Sequence, residues 1–215
     1  MKIALIGATG NIGQEIAKEA QRKQHTLTAL TRSDKSLPAE LAGAQQKVVD
    51  ILDVAALTEA VRGHDVIASA YGPDMAQPIA PNQVADVARA LIAAARAAGI
   101  KRVVVIGGAG SLEVAPGVQL VDTPGFPHAY KAVALAHREA LNVFRNATDL
   151  DWTFFAPAAV IAPGDKKGNY QVGEGKLLTD AAGNSAISYA DYAEAFVSEL
   201  EQGTHRQAIV TVAYR

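Results

Sequence analysis

Apolar residues cluster in short runs along the chain, interrupted only by Thr28 and Thr211, at 3–6, 27–30, 48–49, 66–68, 103–106, 154–156 and 209–212. A run with no polar alternation suits a strand covered on both faces, as a parallel sheet between two helix layers requires. Between the runs lie segments whose apolar positions recur every three or four residues, at 11–23, 54–62, 82–98, 132–146 and 189–201. That period predicts amphipathic helices. Gly99 follows the third of these as a C-terminal cap, and Ser188 precedes the last with Asp191 three residues on, an N-terminal capping pattern. Strand and helix alternating with short connections predict one α/β domain over residues 1–215, a doubly wound, mainly parallel sheet.

Two segments break the rhythm. Residues 107–130 hold three prolines and five glycines without periodicity, and so long a loop in a compact domain predicts a functional element, here a candidate lid. Residues 163–188 contain two hairpin-like pieces, 170–172 and 177–179, around Gly173-Glu174-Gly175. They predict a small C-terminal lobe on the substrate side.

The first apolar run leads into Gly7-Ala8-Thr9-Gly10-Asn11-Ile12-Gly13, which opens a helix. Gly7 permits the sharp turn, Gly10 lets the backbone approach a pyrophosphate, and Gly13 allows close packing of helix on strand. Asn11 and Ile12 stand at the helix start, where backbone N–H groups can donate to phosphate. At the end of the second run the residues are Leu30-Thr31-Arg32-Ser33, with no carboxylate to hold a ribose 2′-hydroxyl. Arg32 can fork onto a 2′-phosphate with the Ser33 hydroxyl as a second donor, which favours NADP(H) over NAD(H); alternatively it is a solvated loop residue neutralised by Asp34. Asp50, followed by Ile51, ends the third run and either meets the adenine or satisfies its own loop. Ala70, Tyr71 and Gly72 follow the fourth run, on the strand edge that faces a cofactor in open α/β sheets.

Composition narrows the chemistry. The formal charge is −2, charged residues make up 20%, and no block of five or more like charges occurs, so neither nucleic acid nor an anionic membrane is an expected partner. There is no cysteine, which excludes disulfides, thiolate metal sites and a cysteine nucleophile, and redox chemistry would have to come from a cofactor. No apolar stretch reaches the roughly 18 residues of a membrane span, and the first run is too short for a signal peptide, so the expected location is cytoplasmic. The five histidines, His25, His64, His128, His137 and His205, lack zinc spacing and are read as surface or turn residues; only His128 is singled out as a candidate acid. No metal site is expected.

The dyad that an alcohol-oxidising dehydrogenase uses, a tyrosine with a lysine one helical turn later, is absent. Four residues after Tyr71, Tyr130, Tyr170, Tyr189 and Tyr192 come Met75, Ala134, Glu174, Ala193 and Phe196. Hydride transfer to a flavin or quinone needs no such dyad, because the resulting anion is delocalised and can take its proton from water. Lys131, Tyr130 and Ser111 are the candidate catalytic side chains. Lys131 is read as reaching the nicotinamide ribose or a phosphate, or as a surface residue. No Gly-x-Ser-x-Gly elbow surrounds Ser69, Ser111 or Ser185.

Six segments, Gly7 to Gly13, Gly63-His64-Asp65-Val66-Ile67, Gly107-Gly108-Ala109-Gly110-Ser111-Leu112, Val121-Asp122-Thr123-Pro124, Asp151-Trp152-Thr153-Phe154 and Ile187-Ser188-Tyr189-Ala190-Asp191-Tyr192-Ala193, together resemble the NADH-flavin reductases of the atypical short-chain dehydrogenase group. That group is similar in turn to biliverdin-IXβ reductase/flavin reductase. The resemblance implies a Rossmann fold with the cofactor across Gly7, Gly10, Gly13 and Arg32, and with Gly107, Gly108, Ser111 and Pro157 bordering the nicotinamide. It implies a small-molecule acceptor, flavin among them. A nucleotide-binding redox sensor without turnover uses the same cofactor residues and stands as the alternative. The sequence leaves the oligomeric state open, a monomer being compatible with it.

Overall fold

The computed structural model describes residues 1–215. In chain order the strands are β1 (Lys2–Ile6), β2 (Thr26–Thr31), β3 (Gln45–Val48), β4 (Val66–Ser69), β5 (Arg102–Ile106), β6 (Glu113–Ala115), β7 (Val118–Gln119), β8 (Asp151–Ala156), β9 (Val160–Ala162), β10 (Tyr170–Glu174), β11 (Ala186–Ser188) and β12 (Ala208–Tyr214). The helices are α1 (Asn11–Arg22), α2 (Val54–Val61), α3 (Gln83–Ala98), α4 (His128–Arg145) and α5 (Tyr189–Gln202). Eight strands form one sheet in the order β10-β12-β8-β5-β4-β1-β2-β3, parallel except for β10 at one edge. This is the doubly wound α/β fold the sequence predicts, and the chain reverses its winding direction between β1 and β4.

The apolar runs have a direct cause. Ala4 and Ile6 of β1 face the core beneath α2, α3 and α4, whereas Ile3 and Leu5 face the one beneath α1 and α5. In β5, Val103 and Val105 point one way and Val104 the other. Strands sandwiched in this way can carry no polar face. No helix is long and apolar enough to cross a membrane.

Capping follows the sequence. Asp53 accepts from Ala56 N at 3.0 Å at the start of α2, Ser188 accepts from Asp191 N at 3.1 Å at the start of α5, and Gly99 ends α3 with φ of 73°.

Four expectations are corrected. β3 lies at Gln45–Val48 and shares only Val48 with the apolar pair at 48–49, because it is an edge strand with one neighbour and keeps polar residues along it. α4 starts at His128, four residues earlier than its apolar period suggests, with Pro127 as its cap residue. Tyr130 and Lys131 therefore stand in the first turn of a helix. Residues 177–179 form no strand: β10 pairs antiparallel with β12 and extends the main sheet, while β11 pairs with β9. The segment 107–130 is not a free loop up to Asp122. It makes 3-10 turns at Ala109–Ser111 and Leu120–Asp122 around the β6–β7 hairpin, and Leu112 and Val121 are fully buried.

The lobe after β9 is tied down by Asp191. Its carboxylate accepts from Lys167 N and Gly168 N at 2.9 Å, from the Tyr214 hydroxyl at 2.8 Å and from Ser188 Oγ at 3.1 Å. Burial opposes its charge, yet these donors hold the carboxyl below its ordinary value. Tyr192, fully buried, donates to Phe155 O at 2.5 Å. The Ser-Tyr-Ala-Asp-Tyr-Ala motif thus fastens the lobe and α5 to the sheet.

Candidate cofactor site

The carboxyl ends of β3, β2, β1, β4, β5 and β8 lie side by side and carry every cofactor residue named from the sequence. Gly7 has φ of +74°, and a Cβ there would sit 2.6 Å from Ala70 O. A Cβ on Gly13 would sit 2.0 Å from Gly7 O. Both glycines are therefore demanded by the protein's own backbone. Gly10 differs, since its nearest obstacle is Gly7 O at 3.4 Å and its φ is −77°. Nothing within the chain requires a glycine there. An exposed glycine beside an open helix start fits a position where a ligand approaches the backbone.

α1 begins without a side-chain cap and without an acidic residue in its first turn. Gly10 N donates to Gly7 O at 3.1 Å, but the amides of Asn11, Ile12 and Gly13 donate to no backbone acceptor. Thr9 is exposed, and its carbonyl accepts from Gln14 Nε2 at 2.9 Å, bracing the turn. Free donors at the positive end of a helix fit a pyrophosphate.

Arg32 and Ser33 are exposed just beyond β2. Arg32 enters no ion pair, so the neutralising contact with Asp34 is not made. The loop that presents it is fixed from below by Gln46, whose Nε2 donates to Thr31 Oγ1 at 3.0 Å, Ser33 O at 3.1 Å and Lys35 O at 2.9 Å. Sequence reasoning missed Gln46, because its partners lie more than ten residues away. Asp50 is exposed and accepts from Leu52 N at 3.0 Å, the loop-satisfying role; Ile51 beside it is buried. Tyr71, half-buried, accepts from Gln83 Nε2 at 3.0 Å through its hydroxyl, and Gly72 is exposed.

On the other side of the crevice, Gly107 N donates to Phe155 O at 2.8 Å, and Pro157 is buried with its carbonyl accepting from Thr211 Oγ1 at 3.3 Å. The glycine pair is set by two side chains. A Cβ on Gly107 would strike Phe154 at 2.3 Å, and one on Gly108 would press on His137 at 3.0 Å. His137 is thus buried, not the surface or turn residue its sequence context suggested, with 7% of its surface exposed. Burial pushes its pKa down to about 4. His128, the histidine singled out from the sequence, is exposed at the start of α4.

The three catalytic candidates form no hydrogen-bonded set. Tyr130 and Lys131 are exposed, whereas Ser111 is buried with its hydroxyl unpaired. No group of three or more metal-ligating side chains is present. Between α3, α4 and the ends of β4 and β5 lies a small apolar cavity of about 20 Å³, lined among others by Tyr71, Leu91 and Phe154, with Ser69 its one polar residue.

Residues 7–203 match the family model described as NAD(P)H-binding. A crystal structure from Burkholderia pseudomallei, of a protein provisionally named as exported, is 54% identical, covers 100% of both chains and superposes with a TM-score of 0.91. One from Bacteroides thetaiotaomicron, provisionally named an epimerase, is 34% identical over 99% of this chain and 96% of its own, with a TM-score of 0.90. A third, from Streptococcus pneumoniae TIGR4 and provisionally named an NADH-flavin reductase, is 31% identical over 100% of both chains, with a TM-score of 0.85. The three names differ while the fold does not, and the family model, which spans most of the chain, gives the assignment: this chain belongs to the NAD(P)H-binding family.

Proposed function

We propose that the protein is an NAD(P)H-dependent oxidoreductase that prefers NADPH and reduces a free flavin, a quinone or a similar planar acceptor. Arg32 carries the cofactor preference: it is an exposed, unpaired guanidinium where an NAD-selective site would place a carboxylate. The free amides of Asn11, Ile12 and Gly13 would hold the pyrophosphate, and Thr9 and Gly10 would let it approach. Ala70 to Gly72 would line the ribose side. Gly107, Gly108 and Pro157 would border the nicotinamide, which when bound supplies a hydride. The segments 107–130 and 163–188 would form the acceptor side, with Tyr130 and Lys131 on the rim and Ser111 within.

With no tyrosine and lysine stacked on α4, the protein's part would be to bind, orient and exclude water, and positioning alone can lower a barrier substantially. The separation of Tyr130, Lys131 and Ser111 also favours a second reading, a sensor that binds NADP(H) without turnover. The test mixes purified protein with NADPH and with FMN, FAD or a benzoquinone, and follows the nicotinamide absorbance. Oxidation with at least one acceptor is expected. NADPH binding without oxidation by any of them would select the sensor.

A further inference from the structure

His137 lies on the buried face of α4, and no hydrogen bond reaches its ring. Its Nδ1 is sealed from solvent without a partner, whereas its Nε2 is not sealed. The side chain lies against the end of β5 through its Cγ–Cδ2 edge: the position of a Gly108 Cβ lies 3.0 Å from Cβ, 3.4 Å from Cγ and 3.7 Å from Cδ2, the ring carbon bonded to Nε2. Phe154 packs against the ring edge-on, with centroids 6.4 Å apart. Three residues beyond Gly108, Ser111 is 3% exposed and its hydroxyl is also unpaired, while its amide donates to Gly108 O at 3.1 Å.

A leucine would fill this site on α4 without leaving polar atoms unsatisfied, so the histidine calls for an explanation other than packing. Burial keeps the ring neutral near pH 7, which removes it as an imidazolium acid. An orphaned N–H is rarer in protein interiors than an orphaned acceptor, so the proton belongs on Nε2 and the sealed Nδ1 keeps its lone pair. The ring then carries a neutral, unsealed N–H donor one bond from the carbon that packs against Gly108.

We propose that His137 Nε2–H recognises a carbonyl oxygen on a planar ring docked over Gly107 and Gly108. This rests on the reading of the crevice as a nicotinamide and acceptor site. Two rings carry such an oxygen: the nicotinamide through its carboxamide, and a flavin or quinone through its ring carbonyls.

His137→Leu removes the donor at similar volume, and His137→Gln keeps a donor at the reach of Nε2. The dissociation constant for NADP⁺ is measured by calorimetry, and KM and kcat for benzoquinone and FMN at saturating NADPH, with thermal unfolding recorded for each variant. The leucine variant is expected to unfold no earlier than wild type and to lose about tenfold in one arm, with glutamine recovering most of it. A weaker NADP⁺ complex would assign the carboxamide; an unchanged one with a raised acceptor KM would assign the acceptor. Should the leucine variant unfold early, His137→Asn, which carries its donor at the reach of Nδ1, must show the same loss. Unchanged constants in both arms, in a wild type that binds NADP⁺, would overturn the inference alone. A wild type that does not bind NADP⁺ would overturn the functional reading together with it.

Discussion

The two edges of the sheet treat their polar groups in opposite ways. At the amino edge, charged side chains are paired with one another. Arg102 and Glu199 meet at 2.6 Å, His205 Nδ1 lies 2.7 Å from the same carboxylate, and Arg102 also donates to Thr153 Oγ1 at 2.7 Å. Arg96 pairs with Asp149 at 2.6 Å, and Glu201 receives Lys23 at 2.6 Å and His25 at 2.8 Å. At the carboxyl edge, Arg32 and Lys131 have no partner, α1 starts with free amides, and Ser111 and His137 hold unpaired atoms. Orphaned atoms alone do not mark a site, for Arg102 Nε and Trp152 Nε1 are orphaned at the amino edge as well. Those two belong to side chains otherwise packed into the core or a salt bridge. What distinguishes the carboxyl edge is that exposed groups there, Arg32, Lys131 and the first amides of α1, are unpaired as well.

Substitutions should therefore separate stability from binding. The largest effect is expected from Gly13→Ala, whose Cβ would lie 2.0 Å from Gly7 O. Backbone cannot yield there, so the variant should lose about 3 kcal/mol or more of stability and all measurable NADPH binding. Gly10→Ala, with 3.4 Å to its nearest neighbour, should fold with stability within about 0.5 kcal/mol of wild type yet bind NADPH at least about tenfold more weakly. Normal binding by this variant would remove the argument that Gly10 is kept for a ligand.

Glu199→Ala probes the other edge. It leaves Arg102 buried and unpaired, which should cost about 3–5 kcal/mol in urea unfolding while leaving the NADPH dissociation constant of the folded protein unchanged. A large loss of affinity would mean that the two edges are coupled.

Acid separates the edges by a smaller amount. His137 is neutral in the folded protein down to about pH 4, but the unfolded chain protonates it near 6.5. Stability should fall as pH drops from 6.5 toward 4, by on the order of 3 kcal/mol, and then level off with respect to this group. Glu19 acts in a lower window. Hydrogen bonds from Arg22, and then from Lys166, outweigh burial and hold its pKa at about 2, so its contribution is lost only as pH falls from 4.5 toward 2. Urea unfolding of wild type and His137→Leu at pH 6.5 and pH 4.5 should show the acid loss reduced in the variant; equal losses would contradict the burial of a neutral ring.

Legibility in the sequence followed the same division. Buried strands and capped helices declared themselves through apolar runs, Asp53, Ser188 and Gly99, because each rests on local spacing. β3 did not, since an edge strand carrying Gln45, Gln46 and Lys47 has no apolar signature. The antiparallel pairing of β10 with β12 depends on contacts about forty residues apart, as Tyr170 opposite Tyr214 illustrates. Arg32 and the glycine turn were readable because a strand end followed by a helix start is a local pattern. Gln46 was not, because its role consists of holding a distant loop. His137 could have been found: it falls in helical register with Ala134, Leu141 and Phe144, all on the buried face of α4. Treating every histidine as a possible metal ligand first, and as surface otherwise, hid it.

The central claim is that the unpaired groups of the carboxyl edge are those a 2′-phosphorylated nicotinamide dinucleotide pairs with, and Arg32 tests it most directly. Calorimetric titration of wild type and Arg32→Ala with NADPH and with NADH gives four dissociation constants. The account predicts that wild type prefers NADPH, and that the variant binds NADPH about 10- to 100-fold more weakly while NADH changes less than about threefold. Equal weakening of both cofactors, or no preference in wild type, would contradict it.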